Sequence, residues 1–148
     1  MANELATTNS NAIQNTNDFR IPNGYICTFN IEDVQGKMKL ANALNGAESM
    51  RDKVDQVLNV TDIVTTQGNR ARTGEVCTNS YLILEDGTVY FSQSDGIARS
   101  LKVIVALFTN PATGEFINPV SQGVGLQIKE QTLSNGNTLK TVVPVPLA

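Results

Sequence analysis

The chain of 148 residues contains no histidine, no tryptophan and only two cysteines. Histidine is the commonest zinc ligand and the commonest general base, so its absence disfavours both metal and acid–base chemistry. Cys27 and Cys77 do not have metal-ligand spacing, and we predict that both are ordinary buried or half-buried thiols. P-loop, dinucleotide-binding and nucleophile-elbow motifs are also missing. We therefore expect a protein that is not an enzyme and binds no cofactor, metal or small-molecule substrate.

Long apolar runs are also missing from the sequence. No stretch reaches the roughly 18 consecutive apolar residues that cross a bilayer, and the polar first residues lack the basic and apolar regions of a secretion signal. We expect a soluble protein of the cytoplasm with no membrane partner.

The net charge of −3 at first disfavours nucleic acid as a partner, because phosphate binding usually leaves a basic surface. The acidic excess is local, however. Residues 1–36 hold four acidic residues and one basic residue, whereas the remainder holds ten of each. The body of the protein is neutral, so its binding properties depend on where individual charges lie.

The N-terminal part of the chain differs from the rest. Its first 17 residues are rich in asparagine and have no apolar period, which indicates either a frayed, mobile tail or an arm that orders on a neighbouring subunit or on DNA. Residues 21–31 suit a strand or an extended packing segment, and residues 33–45 suit a short helix or turn. We predict an arm at 1–36 and one folded domain at 37–148.

Five strands are predicted in that domain, from β-branched and alternating apolar residues: 57–64, 75–84, 88–92, 124–131 and 138–143. Residues 67–74 read as a loop, and Asp86-Gly87 and Asn135-Gly136 are hairpin signals. Pro144 and Pro146 are expected to end the last strand. Asp62, inside the first strand, is expected to point to solvent or to accept backbone hydrogen bonds.

An amphipathic helix is predicted between the third and fourth strands. Its apolar stripe consists of Ile97, Leu101, Ile104, Val105 and Phe108. Three strands, a helix and two strands form the element order of the OB-fold, a five-stranded Greek-key barrel with one α-helix between strands 3 and 4. We therefore predict a mainly β OB-fold preceded by the N-terminal arm. A β-sandwich is the alternative, which would leave the helical stripe uncovered.

An OB-fold presents strands 2 and 3 and two of its loops to oligonucleotides. The candidate residues on these surfaces are Asn69, Arg70 and Arg72 in the first loop, Tyr81 and Tyr90 on the strands, and Gln127, Lys129 and Lys140 on strands 4 and 5. Arginines can pair with phosphates and outward tyrosines can stack on bases. The cations equally suit a solvated surface. The tyrosines face outward if Leu82, Leu84, Val89 and Phe91 fill the barrel; otherwise they pack under the N-terminal segment.

Residues 44–143 resemble the single-stranded-DNA-binding proteins of phages and of conjugative plasmids of Gram-positive bacteria. The resemblance is carried by residues 42–45 and 60–64 and above all by 81–101, where a strand, an Asp-Gly-Thr turn, a second strand, Ser-Asp-Gly and a helix opening with Arg-Ser-Leu follow one another. It implies an OB-fold protein of the bacterial host cell's cytoplasm that coats single-stranded DNA during replication or transfer without strong sequence preference.

Two departures from single-strand binders bear on partners. The chain ends in Val143-Pro144-Val145-Pro146-Leu147-Ala148 rather than in the acidic tail of the housekeeping bacterial proteins, so we do not expect partner recruitment by that route. The Asn-rich arm is expected to form a homo-oligomer. The alternative function is a structural or assembly protein of a phage particle that self-associates without nucleic acid.

Overall fold

The computed structural model describes residues 21–147, so the first 17 residues, predicted to be a tail or an arm, lie outside the described residues. Within the described range the helices are α1 (Val34–Gly46) and α2 (Asp95–Leu107), with short 3-10 helices at Arg51–Lys53 and Pro119–Gln122. The strands are β1 (Glu48–Ser49), β2 (Val57–Leu58), β3 (Val60–Asn69), β4 (Val76–Leu84), β5 (Val89–Ser92), β6 (Val124–Thr132) and β7 (Thr138–Pro146).

These strands form two sheets. One sheet has the order β1-β5-β4-β3 and the other the order β2-β6-β7. The protein is thus mainly β, but residues 21–147 contain seven strands and two α-helices instead of the predicted single barrel of five strands and one helix. The physical reason lies in the first predicted strand. Leu58 pairs with Leu126 in one sheet, whereas Val60 pairs with Leu84 in the other. The register shifts between Val60 and Asp62, and an irregularity of this kind changes the direction of a strand.

The predicted hairpins are confirmed. Gly87 adopts a positive φ of 93° in the β4–β5 turn, where the Asp86 carboxylate accepts the amide hydrogen of Thr88 at 2.9 Å. Gly136 has the same role between β6 and β7, with a φ of 87°. The predicted loop at 67–74 is shorter than expected because β3 continues to Asn69.

The last strand is longer than predicted. Pro144 and Pro146 lie inside β7, opposite Leu126 and Val124 of β6. Because β7 is at the edge of its sheet, the missing proline N–H groups need no partner strand on the outer side. The expectation that these prolines end the pairing is therefore wrong.

The helix predicted at 97–108 is confirmed as α2. The Ser94 hydroxyl caps it by accepting the amide hydrogen of Ile97 at 3.3 Å. Its apolar stripe enters the main core between the two sheets, together with apolar residues of the strands: Leu58, Val60, Ile63, Leu82, Leu126, Ile128 and Val142. The short helix predicted at 33–45 is confirmed as α1, capped by the Asp33 carboxylate, which accepts the amide hydrogen of Gly36 at 2.7 Å.

A second apolar cluster lies on the opposite face of the four-stranded sheet. Leu40 and Ala43 of α1 pack there against Val64, Tyr81, Ile83 and Val89. Residues 21–31 run over the same face as an extended packing segment. Their backbone bonds to the free edge of β3, since the Thr65 amide donates to the Ile26 carbonyl at 2.8 Å and the Thr28 amide donates to the Ile63 carbonyl at 3.2 Å. This segment covers an edge that would otherwise be open to another strand.

Residues 21–31 and α1 together form a covering layer on this side of the sheet, and Asp62 of β3 bonds to both of them. Its carboxylate accepts a hydrogen bond from the Thr28 hydroxyl at 2.8 Å and forms an ion pair with Lys39 of α1, whose ammonium also lies 4.6 Å from the centre of the Phe29 ring. With a side chain only 13% exposed, Asp62 is satisfied by side chains. The expectation of solvent or backbone partners is wrong.

The two cysteines are free thiols, Cys27 half-buried and Cys77 buried, which confirms their prediction. The sulfur of Cys27 donates to the Phe29 carbonyl at 3.3 Å. Burial raises the pKa of the Cys27 thiol. Cys27 is therefore a packing residue of the covering layer.

Gly96 sets the distance between α2 and β7. A methyl group at this position would overlap the backbone oxygen of Lys140. Although alanine is the better helix former, we expect Gly96→Ala to lower the free energy of unfolding by about 1–3 kcal/mol, because the helix must shift away from the strand. Chemical denaturation measures this change. A variant as stable as the unaltered protein would show that α2 and β7 are not in close contact.

Candidate nucleic-acid interface

The register of β4 and β5 decides where the predicted tyrosines lie. Tyr81 is opposite Phe91, and Leu82 is opposite Tyr90. Leu82 and Phe91 therefore lie on different faces of the sheet, and the prediction that both tyrosines face outward is wrong. Tyr81 is only 7% exposed and packs under the N-terminal segment, as the alternative foresaw, with its ring centre 5.3 Å from that of Phe91.

Tyr90 lies on the opposite face, half-buried against the main core. The ammonium of Lys53 is 5.2 Å from the centre of its ring, which is within the range of a cation–π contact. Both predicted stacking platforms are thus engaged within the protein.

Burial of Tyr81 has a consequence at alkaline pH. Desolvation raises the pKa of its phenol above the ordinary value, and a hydrogen bond with Thr66 offsets only part of this effect. The unfolded chain releases the proton at lower pH than the folded chain, so ionisation of Tyr81 should lower the free energy of unfolding as the pH rises above about 10. Denaturation of Tyr81→Phe should show a smaller alkaline loss than the unaltered protein; equal losses would contradict the burial.

A groove of about 270 Å³ lies at the start of α2, with lining residues from both sheets. Residues from β1, β5, β7 and the connections around them line it: Ser49, Met50, Arg51, Arg70, Phe91, Ser92, Gln93, Ser94 and Lys140. We call this the basic groove, because its lining contains three cations and no acidic residue. The chain as a whole has a net charge of −3, so the positive charge of the groove is a local feature of its surface.

Three separate parts of the chain supply the cations. Arg51 follows β1 in the first 3-10 helix, and the neighbouring Met50 amide donates to the Phe91 carbonyl at 3.0 Å. Arg70 follows β3 in a tight connection, where its carbonyl accepts the amide hydrogen of Gly74 at 2.8 Å. Lys140 lies in β7, whose backbone touches α2 at Gly96. Backbone contacts therefore fix the positions from which all three side chains extend.

The wall of the basic groove is aromatic and polar. Phe91 is one of the lining residues and is half-buried, and its ring packs on Tyr81 at the side of the sheet that α1 covers. Beside it, the Gln93 amide donates to the Asn79 side chain at 2.9 Å and to the Asn69 carbonyl at 3.4 Å. An aromatic surface beside a row of cations is the arrangement by which proteins hold unpaired nucleotides, with bases stacked and phosphates neutralised.

The structure brings together some of the predicted site residues. Arg70 and Lys140 line the basic groove, and Asn69 lies at its rim, where its side-chain amide donates to the Gly74 carbonyl at 3.1 Å. Arg72 is exposed in the same connection. Gln127 and Lys129 lie outside the lining and contact Asp55 instead. The Gln127 amide donates to the Asp55 carbonyl at 2.8 Å, and the Lys129 ammonium lies 3.8 Å from the Asp55 carboxylate.

Sequence reasoning missed Arg51 as a site residue and assigned Phe91 to the core alone. Arg51 lies in a segment without a regular apolar period, so no periodic signal marks the side to which it points. A correct β4–β5 register would have placed Phe91 and Leu82 on different faces of the sheet. The spacing of the Asp-Gly turn is the one sequence feature that carries this information.

A larger cavity, about 370 Å³, lies against α1, where its lining is mostly apolar and includes one cation, Lys37. We place the candidate interface in the smaller groove because its lining combines three cations with an aromatic residue, whereas the cavity against α1 has one cation and no aromatic residue. Among residues 21–147, no group of three His, Cys, Asp or Glu side chains is placed to hold a metal ion. None of the helices in this range is both long and apolar enough to span a membrane.

Comparison with known proteins gives one match. A family model described as phage single-stranded DNA-binding protein matches residues 20–139, about four fifths of the chain. No curated protein and no solved structure matches. The matched region begins one residue before the described range and includes the covering layer and nearly all of the basic groove; Lys140 lies just beyond it.

Proposed function

The chain belongs to the family of phage single-stranded DNA-binding proteins, and we propose that it coats single-stranded DNA through the basic groove during phage DNA replication. Phosphates would contact Arg51, Arg70 and Lys140, and a base would stack on Phe91. This assignment replaces the two tyrosines with Phe91 and adds Arg51 to the predicted set.

The observation that carries the proposal is the composition of the groove. Three cations meet there without an acidic residue in the lining, although acidic residues outnumber basic ones in the chain. Phosphate contacts supply most of the affinity of non-specific nucleic-acid binding. A neutral or acidic protein that binds DNA therefore needs such a local cluster.

Single strands suit this groove better than duplexes. Stacking on Phe91 requires a base whose face is free, which a paired and stacked base in a duplex lacks. Aromatic stacking accepts every base, and phosphate contacts carry no sequence information. We therefore propose binding without strong sequence preference.

The fold is compatible with an opened OB barrel, which we propose as its relationship to known architectures. Residues 57–69 run from the β2–β6 sheet into the β3–β4 sheet, so one continuous segment joins the two sheets on one side. On another side, β5 and β7 line the same groove. A barrel left open at its binding surface would give this arrangement.

Three expectations from the sequence stay predictions. Association of subunits through the N-terminal arm, predicted at 1–36, includes residues 1–20, which lie outside the described range. The roles of Asn69, Arg72, Gln127 and Lys129 are predicted from their position near the groove or on the polar face of β6. A role in conjugative plasmid transfer rests on the resemblance alone, whereas the family match concerns phages.

The proposal is tested by fluorescence anisotropy of a labelled single-stranded oligonucleotide at two salt concentrations, with a duplex of equal length as competitor. We expect saturable binding that weakens as the salt concentration rises and that the duplex competitor does not displace. Absence of binding at low salt, together with self-assembly of the protein alone, would overturn the proposal and favour the phage-assembly function.

A further inference from the structure

One cation of the basic groove already holds an anion in the free protein. Arg70 donates from Nη2 to the Asp95 carboxylate at 3.2 Å. Within residues 21–147, Arg51 and Lys140 form no ion pair with an acidic side chain. The cations of the groove are therefore not equivalent before DNA arrives.

Asp95 is not the residue that caps α2. It is the first residue of α2, but the hydroxyl of the preceding Ser94 forms the cap. Its side chain is 66% exposed, and its only hydrogen bond to a side chain in the described range is the one from Arg70. The carboxylate thus lies at the rim of the groove, where it contacts a cation that is itself part of the lining.

We propose that Asp95 is an internal competitor of DNA, whose carboxylate occupies the position on Arg70 that a phosphate takes in the complex. This inference rests on the proposed function of the groove. Carboxylate and phosphate oxygens accept the same guanidinium N–H groups, and the start of α2 favours either anion. A phosphate that reaches Arg70 must displace Asp95 or tolerate its negative charge nearby.

Asp95 has two opposing effects on binding. It restrains Arg70 next to the groove, which favours binding, and it occupies and neutralises the Arg70 guanidinium, which opposes binding. The first effect is small because an exposed ion pair contributes little net free energy and holds its partners loosely. The second acts directly on the guanidinium that a phosphate would contact, so competition should dominate at low salt, where screening is weakest.

The test replaces Asp95 by its neutral isostere. We expect Asp95→Asn to bind single-stranded DNA about threefold to tenfold more tightly at low salt. The matched control is Glu115→Gln, which changes the net charge equally. Asp95 begins α2, which is about 20 Å long, whereas Glu115 lies in the connection that follows its other end and should change the affinity less than about twofold.

The gain must depend on Arg70. In an Arg70→Ala background, the additional Asp95→Asn change should have little effect on the affinity, because the guanidinium for which Asp95 and phosphate compete is gone. A gain in affinity that persists in that background would show general charge repulsion and overturn the inference. If the unaltered protein binds DNA and Asp95→Asn binds it equally or more weakly, the inference is also overturned. Failure of the unaltered protein to bind at all would instead overturn the proposed function.

Discussion

Alanine substitution of Arg51, Arg70 and Lys140 together should weaken single-stranded DNA binding by about two to three orders of magnitude at roughly 50 mM salt. For single strands, each phosphate contact adds about 0.7 to the slope of log affinity against log salt concentration. Near 50 mM salt that corresponds to about tenfold in affinity per contact. Three lost contacts should also flatten the salt dependence by about two units of slope.

The control for this triple variant changes the net charge equally at sites outside the groove. Lys37, Arg99 and Lys102 are exposed on the two helices, and none of them lines the basic groove. Replacing these three by alanine should leave the affinity within about threefold and the salt slope nearly unchanged, since none of them lines the groove in which the phosphates are proposed to bind. Equal losses in both triple variants would show that net charge, and not the groove, determines binding.

Replacing Phe91 by leucine should weaken binding by about 5- to 150-fold, with the salt dependence retained. Stacking of a base on an aromatic side chain contributes about 1–3 kcal/mol, which leucine does not supply. Leucine keeps an apolar contact with Tyr81, so the cost to the free energy of unfolding should stay near 1 kcal/mol. Affinity and stability are measured on the same preparation to separate the two effects.

Phe29 offers the matched control for this substitution. It packs against the same apolar cluster as Phe91 but does not line the groove. Phe29→Leu should therefore lower stability by a comparable amount and leave DNA binding unchanged. Phe91→Tyr should restore binding because it restores the aromatic face. Weak binding by Phe29→Leu, or full binding by Phe91→Leu, would contradict stacking at Phe91.

Much of the secondary structure was predictable because its signals are local. The 3.6-residue period of Ile97, Leu101 and Ile104 predicts α2, and the Asp-Gly and Asn-Gly pairs predict the two hairpins. The division into two sheets was not predictable in this way. It depends on one irregularity near Val60, where the strand changes partner, and no local period marks that change.

The faces of the four-stranded sheet were harder to assign because both are buried. One face packs on the main core, and the other is covered by α1 and the N-terminal segment. Apolar residues therefore occur at successive positions, as in Tyr81, Leu82 and Ile83, and the alternation that would identify an outward face disappears. The tyrosines were misplaced for this reason.

The candidate site was only partly predictable from the sequence. Arg70 and Lys140, which line the groove, were among the predicted residues because each was assigned to a loop or strand near the ligand surface of an OB-fold. The groove itself joins residues near positions 50, 70, 92 and 140, which only the folded chain brings together. The pairing of Arg70 with Asp95 likewise spans 25 positions and has no sequence signal.

The most direct test of the central claim is photo-crosslinking of the protein to a single-stranded oligonucleotide that contains a halogenated pyrimidine, followed by mass spectrometry of the peptides. The account predicts crosslinks in the peptide that contains Phe91, lost when unlabelled single-stranded DNA competes. Crosslinks confined to the β6 surface around Gln127 and Lys129, or to α1, would contradict binding in the basic groove.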